Sequence, residues 1–144
     1  MKVSTRILLD TTFLLPTLGI NVKDYDEVYK KLKNYVVYIS RYSILEALWV
    51  LNSFKKRGYY NEKTVREGLD SLLLNNRFMK IDETPEALIL SMKLYDLGHR
   101  DLIDNLLYSI AYTSDLLFLT VDDKFMKFIE KIKMKDIFIT PEML

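Results

Sequence analysis

Four acidic residues stand where apolar runs begin or end, and they are the groups best suited to do chemistry. Asp10 closes the run Arg6-Ile-Leu-Leu-Asp10 and is followed by Thr11, Thr12 and Phe13. Glu46 comes shortly after the strand-like run 35–39, near the start of an apolar helical stretch. Asp104 lies in Asp101-Leu-Ile-Asp104-Asn105-Leu-Leu, and Asp122 follows the strand-like run 116–120. In α/β domains ligands bind beyond the carboxyl ends of the parallel strands. Carboxylates gathered there suit a hard divalent cation. Such a cation offsets the charge of a phosphodiester and activates water, so cleavage of that bond is the chemistry to expect.

The elements that must position these acids follow from periodicity and from stop signals. Strands are expected at residues 6–9, 35–39, 78–81, 116–120 and 137–139. A short helix is expected from Thr11 or Thr12 to residue 18, with Pro16 tolerated in its first turn and Gly19 ending it. Longer helices are expected over 24–33, 43–56, 63–74, 86–97, 101–114 and 123–132. Tyr25, Val28, Tyr29 and Leu32 keep helical spacing in the first of these. Ser43-x-x-Glu46 reads as a capping box opening the second. Gly58 and Gly98 are stops, and Pro85 suits a first helical position. Strands alternating with helices imply a parallel sheet covered on both faces. Residues 1–144 are therefore expected to form one three-layer α/β/α domain.

Each acid also has a plainer use. Asp10, Asp101 and Asp122 could each cap the helix that follows, since Asp is favoured at N-caps. Asp104 is harder to explain that way. At about 100° per residue, Leu102, Ile103, Leu106, Leu107, Ile110 and Ala111 form one apolar face. Asp104 falls on its edge, where a carboxylate is costly unless paired, and Asp101 falls on the opposite side. Asp104 is thus preferred over Asp101 as a working residue. The single histidine, His99, could order a phosphate, but a loop role is the more ordinary one.

The stretches around Asp10, Glu46, Asp104 and Asp122, in this order and covering almost the whole chain, resemble the PIN domain family of nucleases. That family has an Asp followed by hydroxyl residues after the first strand and a Glu on the helix after the second. It then has D-x-x-[LI]-x-x-x-A on a late helix and Thr/Ser-x-Asp after the next strand. Here these are Asp10 with Thr11 and Thr12, Glu46, Asp104 through Ala111, and Thr120 with Asp122. The resemblance implies a PIN-like fold and a Mg²⁺- or Mn²⁺-dependent ribonuclease, the toxin of a toxin–antitoxin pair. It implies that Asp10, Glu46, Asp104 and Asp122 are both catalytic and metal-binding, with Thr12 and Thr120 supporting them. A PIN-like domain that has lost catalysis and serves as an RNA-binding or assembly module is the alternative. A haloacid-dehalogenase-type phosphatase would need a second Asp where Thr12 stands. A response-regulator receiver would need an early pair of acids that the chain does not have.

Composition narrows the partners. A formal net charge of +1 gives no broad basic footprint, so any RNA contact must be local. Arg41 in the loop before the Glu46 helix is the expected substrate contact, with Lys55–Arg57 basic as well. Without cysteine there is no disulfide, thiolate metal site or thiol nucleophile. Lys2 and Arg6 precede a short apolar run that Asp10 interrupts, so no signal peptide is expected. No apolar stretch approaches the roughly 20 residues that span a bilayer, and a cytoplasmic protein without membrane contact is expected. Tyr25, Tyr29, Trp49, Leu51, Phe54, Tyr59, Tyr60 and Leu72–Leu74 exceed what one helix face each needs. They are expected to supply a homodimer interface, or a surface for an antitoxin helix.

Overall fold

Ile7, Leu8 and Leu9 are all buried because β1 (Arg6–Leu9) is the middle strand of a five-stranded parallel sheet. The computed structural model describes residues 4–144; Lys2, named above, lies outside them. The sheet order is β3-β2-β1-β4-β5, with β2 (Val36–Ile39), β3 (Phe78–Lys80), β4 (Leu117–Leu119) and β5 (Phe138–Ile139). Every pairing is parallel. The helices are α1 (Tyr25–Leu32), α2 (Arg41–Lys56), α3 (Glu62–Leu74), α4 (Pro85–Asp96), α5 (Leu102–Thr113) and α6 (Asp123–Lys131). Successive strand residues face opposite ways. Ile7, Leu9, Val37 and Ile39 accordingly pack with Leu32 of α1, Ala47 of α2 and Leu72 of α3. Leu8 and Phe118 pack with Leu94 of α4, Leu107 of α5 and Phe125 of α6. The result is the expected three-layer α/β/α architecture.

The connections place a crevice beside β1. From β1 the chain runs outward to β2 and β3, returns to β4 on the other side of β1, and continues to β5. The order reverses between β1 and β4, and the carboxyl ends of two such strands part to leave room for a ligand. Asp10 and Thr120 are the residues that directly follow these two strands. They stay in register, since Leu9 pairs Leu119 and the Asp10 N–H donates to the Leu119 carbonyl at 3.0 Å.

Local structure departs from the sequence reading at two places near this crevice. The segment after Asp10 forms two separate 3₁₀ turns, Thr11–Phe13 and Pro16–Leu18, with Gly19 left-handed at φ 93°. Asp10 caps the first turn. The second departure is α2, which begins at Arg41, two residues earlier than the capping-box pattern implied. Ser40 is its N-cap, and its hydroxyl accepts from the Tyr42 N–H at 3.1 Å. Ser43 therefore lies inside the helix, fully buried, and Glu46 is a mid-helix residue.

The 3₁₀ segment is held from outside by α3. Gly68 is buried against the Pro16–Leu18 turn, and a Cβ there would collide with the Thr17 carbonyl oxygen. Gly68→Ala should gain helix propensity but force backbone apart. The overpacking is expected to win, lowering stability by about 1–3 kcal/mol. Thermal unfolding checks this: a melting temperature equal to or above the parent's would show that α3 need not approach so closely.

Candidate metal centre

Three elements bring three carboxylates together. Asp10 at the end of β1, Glu46 on α2 and Asp104 in the first turn of α5 each offer one oxygen, and these lie within 4.8 Å of one another. Asp10 is the most deeply placed, at 7% exposure. Its Oδ1 accepts from the Thr11 N–H at 2.7 Å, and its Oδ2 accepts from the Thr120 hydroxyl at 2.7 Å. Thr120 is fully buried and also accepts from the Asp122 N–H at 3.1 Å, so one hydroxyl joins the ends of both strand segments. The carboxylate of Asp104 accepts no hydrogen bond among the described residues; His99 Nε2 stands 4.0 Å from its Oδ2.

This crowding disfavours ionisation. Burial raises the Asp10 pKa to about 6, with Thr120 and Thr11 pulling it down and Glu46 and Asp122 pushing it up. Asp104 is pushed up to about 8, first by burial and then by Asp101, Asp10, Asp122 and Glu46. Glu46 is raised by burial and by Asp101, and lowered by Thr11. Without a counter-charge these carboxylates would share protons. The donor set is all oxygen and anionic, which is what a hard divalent cation takes. The residues present thus fit such an ion.

The other acids play different parts. Asp122 is not among the three that converge. Its Oδ1 accepts from the Phe125 N–H at 3.0 Å and caps α6, while its charge acts on both Asp10 and Asp104. Asp101 is the N-cap of α5 in extended backbone, and its Oδ1 accepts from the Asp104 N–H at 3.1 Å. A helical wheel does not govern a cap, and its charge is the strongest of those acting on Asp104. Asp123 is exposed and paired with Lys127 at 2.9 Å.

Arg41 is exposed and forms an ion pair with Glu83, which the Tyr42 hydroxyl also contacts at 2.9 Å. Thr12, expected to support the site, takes no part in these hydrogen bonds. Its neighbour Thr11 does more. It donates its N–H to Asp10, and its buried hydroxyl makes no hydrogen bond, though it lowers the pKa of nearby Glu46. Sequence reasoning also missed Asn105, which is fully buried and bonded to His99. A polar residue inside an otherwise apolar helix face was the available signal.

Of the dimer candidates, Leu51 and Leu72 belong to the core, at 5% and 0% exposure. Trp49, Tyr59, Leu73 and Leu74 are exposed. Trp49 and Leu45 of α2 with Leu102 and Ile103 of α5 line an open apolar groove that includes Glu46 and Asp101. No helix among the described residues is long and apolar enough to cross a membrane.

The PIN domain family matches residues 7–131. No curated protein sequence matches the chain. Among solved structures, a toxin–antitoxin complex from Klebsiella pneumoniae is similar at 20% identity, over 94% of this chain and 97% of that one, with a TM-score of 0.59. VapBC2 from Rickettsia felis, bound to a DNA fragment from its promoter, is similar at 20% identity over 94% and 98%, with a TM-score of 0.66. PAE2754 from Pyrobaculum aerophilum is similar at 18% identity over 96% and 85%, with a TM-score of 0.64. At these identities the likeness speaks for the fold.

The raised values carry a pH signature. Asp10 and Asp104 titrate at about 6 and about 8 in the fold, above their usual 3.8. A raised carboxyl contributes stability below its unfolded pKa and loses it as pH rises through the folded one. Metal-free protein should therefore lose stability between about pH 4 and pH 8. Asp104→Asn removes one such group without removing a hydrogen bond. In chelator it should melt above the parent at pH 8, and the gap should close near pH 4. A variant that melts below the parent at pH 8 would refute the crowding account.

Proposed function

Since the chain belongs to the PIN domain family, we propose that it is a Mg²⁺- or Mn²⁺-dependent ribonuclease and the toxin of a toxin–antitoxin pair, acting in the cytoplasm. The observation that carries this reading is the convergence of Asp10, Glu46 and Asp104 from three elements at the strand-order reversal. A PIN-like module that only binds RNA would have no need to hold three repelling carboxylates so close.

In this reading Asp10, Glu46 and Asp104 hold the cation, and Asp122 adds its charge from the cap of α6. A bound Mg²⁺ or Mn²⁺ offsets phosphate charge and supplies a water of lowered pKa. Thr120 and the Thr11 N–H fix the two oxygens of Asp10, so that the carboxylate does not turn away. Thr11, in place of Thr12, lies beside Glu46 and favours its charged form. Arg41, anchored by Glu83 and two-thirds exposed, offers an RNA phosphate a guanidinium face. Lys55 and Arg57 lie at the far end of α2, roughly 14 Å along the helix from Glu46, and would meet only a longer RNA.

The antitoxin partner is supported by the company the fold keeps: two of the similar structures are described as toxin–antitoxin or VapBC complexes. The groove of Leu45, Trp49, Leu102 and Ile103 supports a homodimer, because it is apolar and open beside the site. A two-fold interface there would be self-complementary and would set two sites side by side.

Catalysis is tested on RNA with Mn²⁺ or Mg²⁺. Asp10→Asn should retain the fold and cut at least roughly a hundredfold more slowly, equivalent to about 2.7 kcal/mol. Asp101→Asn should cost far less, because Asn also caps a helix. Chelator should abolish cleavage. Unaltered cleavage by Asp10→Asn, or in chelator, would refute the metal-dependent reading. Light scattering tests assembly: a dimeric mass is expected, shifting to monomer in Trp49→Glu. A parent that remains monomeric at high micromolar concentration would exclude the homodimer and leave the groove to a partner protein.

A further inference from the structure

His99 is aimed at the candidate metal centre with more care than a loop histidine requires. Asn105 is fully buried and commits both ends of its amide to this one residue. Its Nδ2 donates to the His99 carbonyl at 2.7 Å, which leaves Oδ1 facing the ring Nδ1 at 2.8 Å. A carbonyl cannot donate, and an amide oxygen can only accept. Nδ1 must therefore carry a proton, and in the neutral ring Nε2 is left with its lone pair free. The ring plane is fixed as well, by Phe125 at 4.6 Å and Phe128 at 5.3 Å between centroids. So constrained, Nε2 stands 4.0 Å from Asp104 Oδ2.

That distance is too long for a direct hydrogen bond. In the neutral ring, two acceptors facing one another at such a separation would also repel unless something lies between them. One oxygen at about 2.8–3.0 Å from each would close the triangle. Resting on the metal-centre reading above, we propose that His99 is a positioning residue: its Nε2 and the Asp104 carboxylate would together hold one water at the site where Asp10, Glu46 and Asp104 would bind a divalent cation. The donated ring N–H on the far side is the usual way in which a histidine near a metal has its tautomer set. Asn105 performs that task here through an amide. The Asp104 carboxylate accepts no hydrogen bond among the described residues, so it has room for an outside partner.

The chain has one histidine, so its ring nitrogens can be read by ¹⁵N NMR without assignment. The Nδ1–H tautomer is expected, with the Nε2 signal moving when Mg²⁺ is added. An Nε2–H tautomer, or an Nε2 signal that Mg²⁺ leaves in place, would overturn the proposal. Two variants separate positioning from packing. In His99→Gln the amide reaches the Nε2 position, and in His99→Asn it reaches only the Nδ1 position. Mn²⁺ affinity by calorimetry should fall about tenfold or more in His99→Asn, with kcat falling while KM holds, and should stay near the parent in His99→Gln. A residue that only holds Asn105 predicts the reverse order, as does a melting temperature in chelator that alone tracks the loss. Equal Mn²⁺ affinity in both variants and the parent would also overturn the proposal. A parent that binds no Mn²⁺ at all is a different result, and it refutes the metal centre itself.

Discussion

Repulsion among carboxylates confined at the carboxyl end of β1 is the constraint that the rest of the structure answers. Asp10 sits at the centre of a sheet with nearly no water about it. Its neighbours Glu46 and Asp104 arrive from α2 and α5, which pack on opposite faces of that sheet. Neither helix can retreat without exposing core: Ala47 follows Glu46 into one apolar cluster, and Leu107 lies one turn beyond Asp104 in the other. The acids are thus held together by hydrophobic burial on both sides, against their own charge. This is local frustration of the kind that marks functional sites. It stands on geometry before any ligand is considered.

The fold also limits what this confinement costs. Two helices, α5 and α6, begin with the caps Asp101 and Asp122, whose charges act on the converging acids. The partial positive charge of a helix N-terminus lowers the energy of carboxylates nearby. Asp101 and Asp122 each take up a first-turn N–H group through their caps. Each remains close enough for its charge to raise Asp104. They therefore make the three central acids harder to ionise alone and more receptive to a cation, without themselves joining the group. Four acids in the sequence pattern resolve into three that converge and one that acts at a distance.

Most of this was legible in the sequence because its signals are local. Alternating apolar runs and glycine stops place every strand and long helix within about two residues, and Asp10 and Asp122 fall just past strand ends where a parallel sheet puts its ligands. The failures are equally physical. Ser43-x-x-Glu46 has the spacing of a capping box, but Ser40 precedes the helix by one residue and wins the cap. Asp101 was assigned a direction by helical periodicity, although its extended φ and ψ of −90° and 103° place it outside the helix. Leu51 and Leu72 read as surplus apolar residues, but Leu72 packs against the sheet face and Leu51 packs with Ile20 and with Val65 of α3. The choice between Thr11 and Thr12 depends on the 3₁₀ turn after Asp10, which no periodicity reveals.

Asn105 shows why the remaining part of the site could not be read from the chain. Within α5 the residues from Asn105 through Ala111 are all buried, which by pattern would call for apolar side chains throughout. A buried amide is destabilising unless every donor and acceptor is met. Asn105 meets both by bonding to a residue six positions earlier, across the turn that carries Gly98 and the Asp101 cap. The same turn therefore sets three things at once: the start of α5, the height of Asp104 in its first turn, and the direction of the His99 ring. Moving any one would disturb the other two. The loop before α5 is in this sense part of the acidic cluster, although only one of its neighbours is an acid of the converging group. The setting of Asp104 thus depends on a satisfied buried polar pair, while Asp10 is held by Thr11 and Thr120.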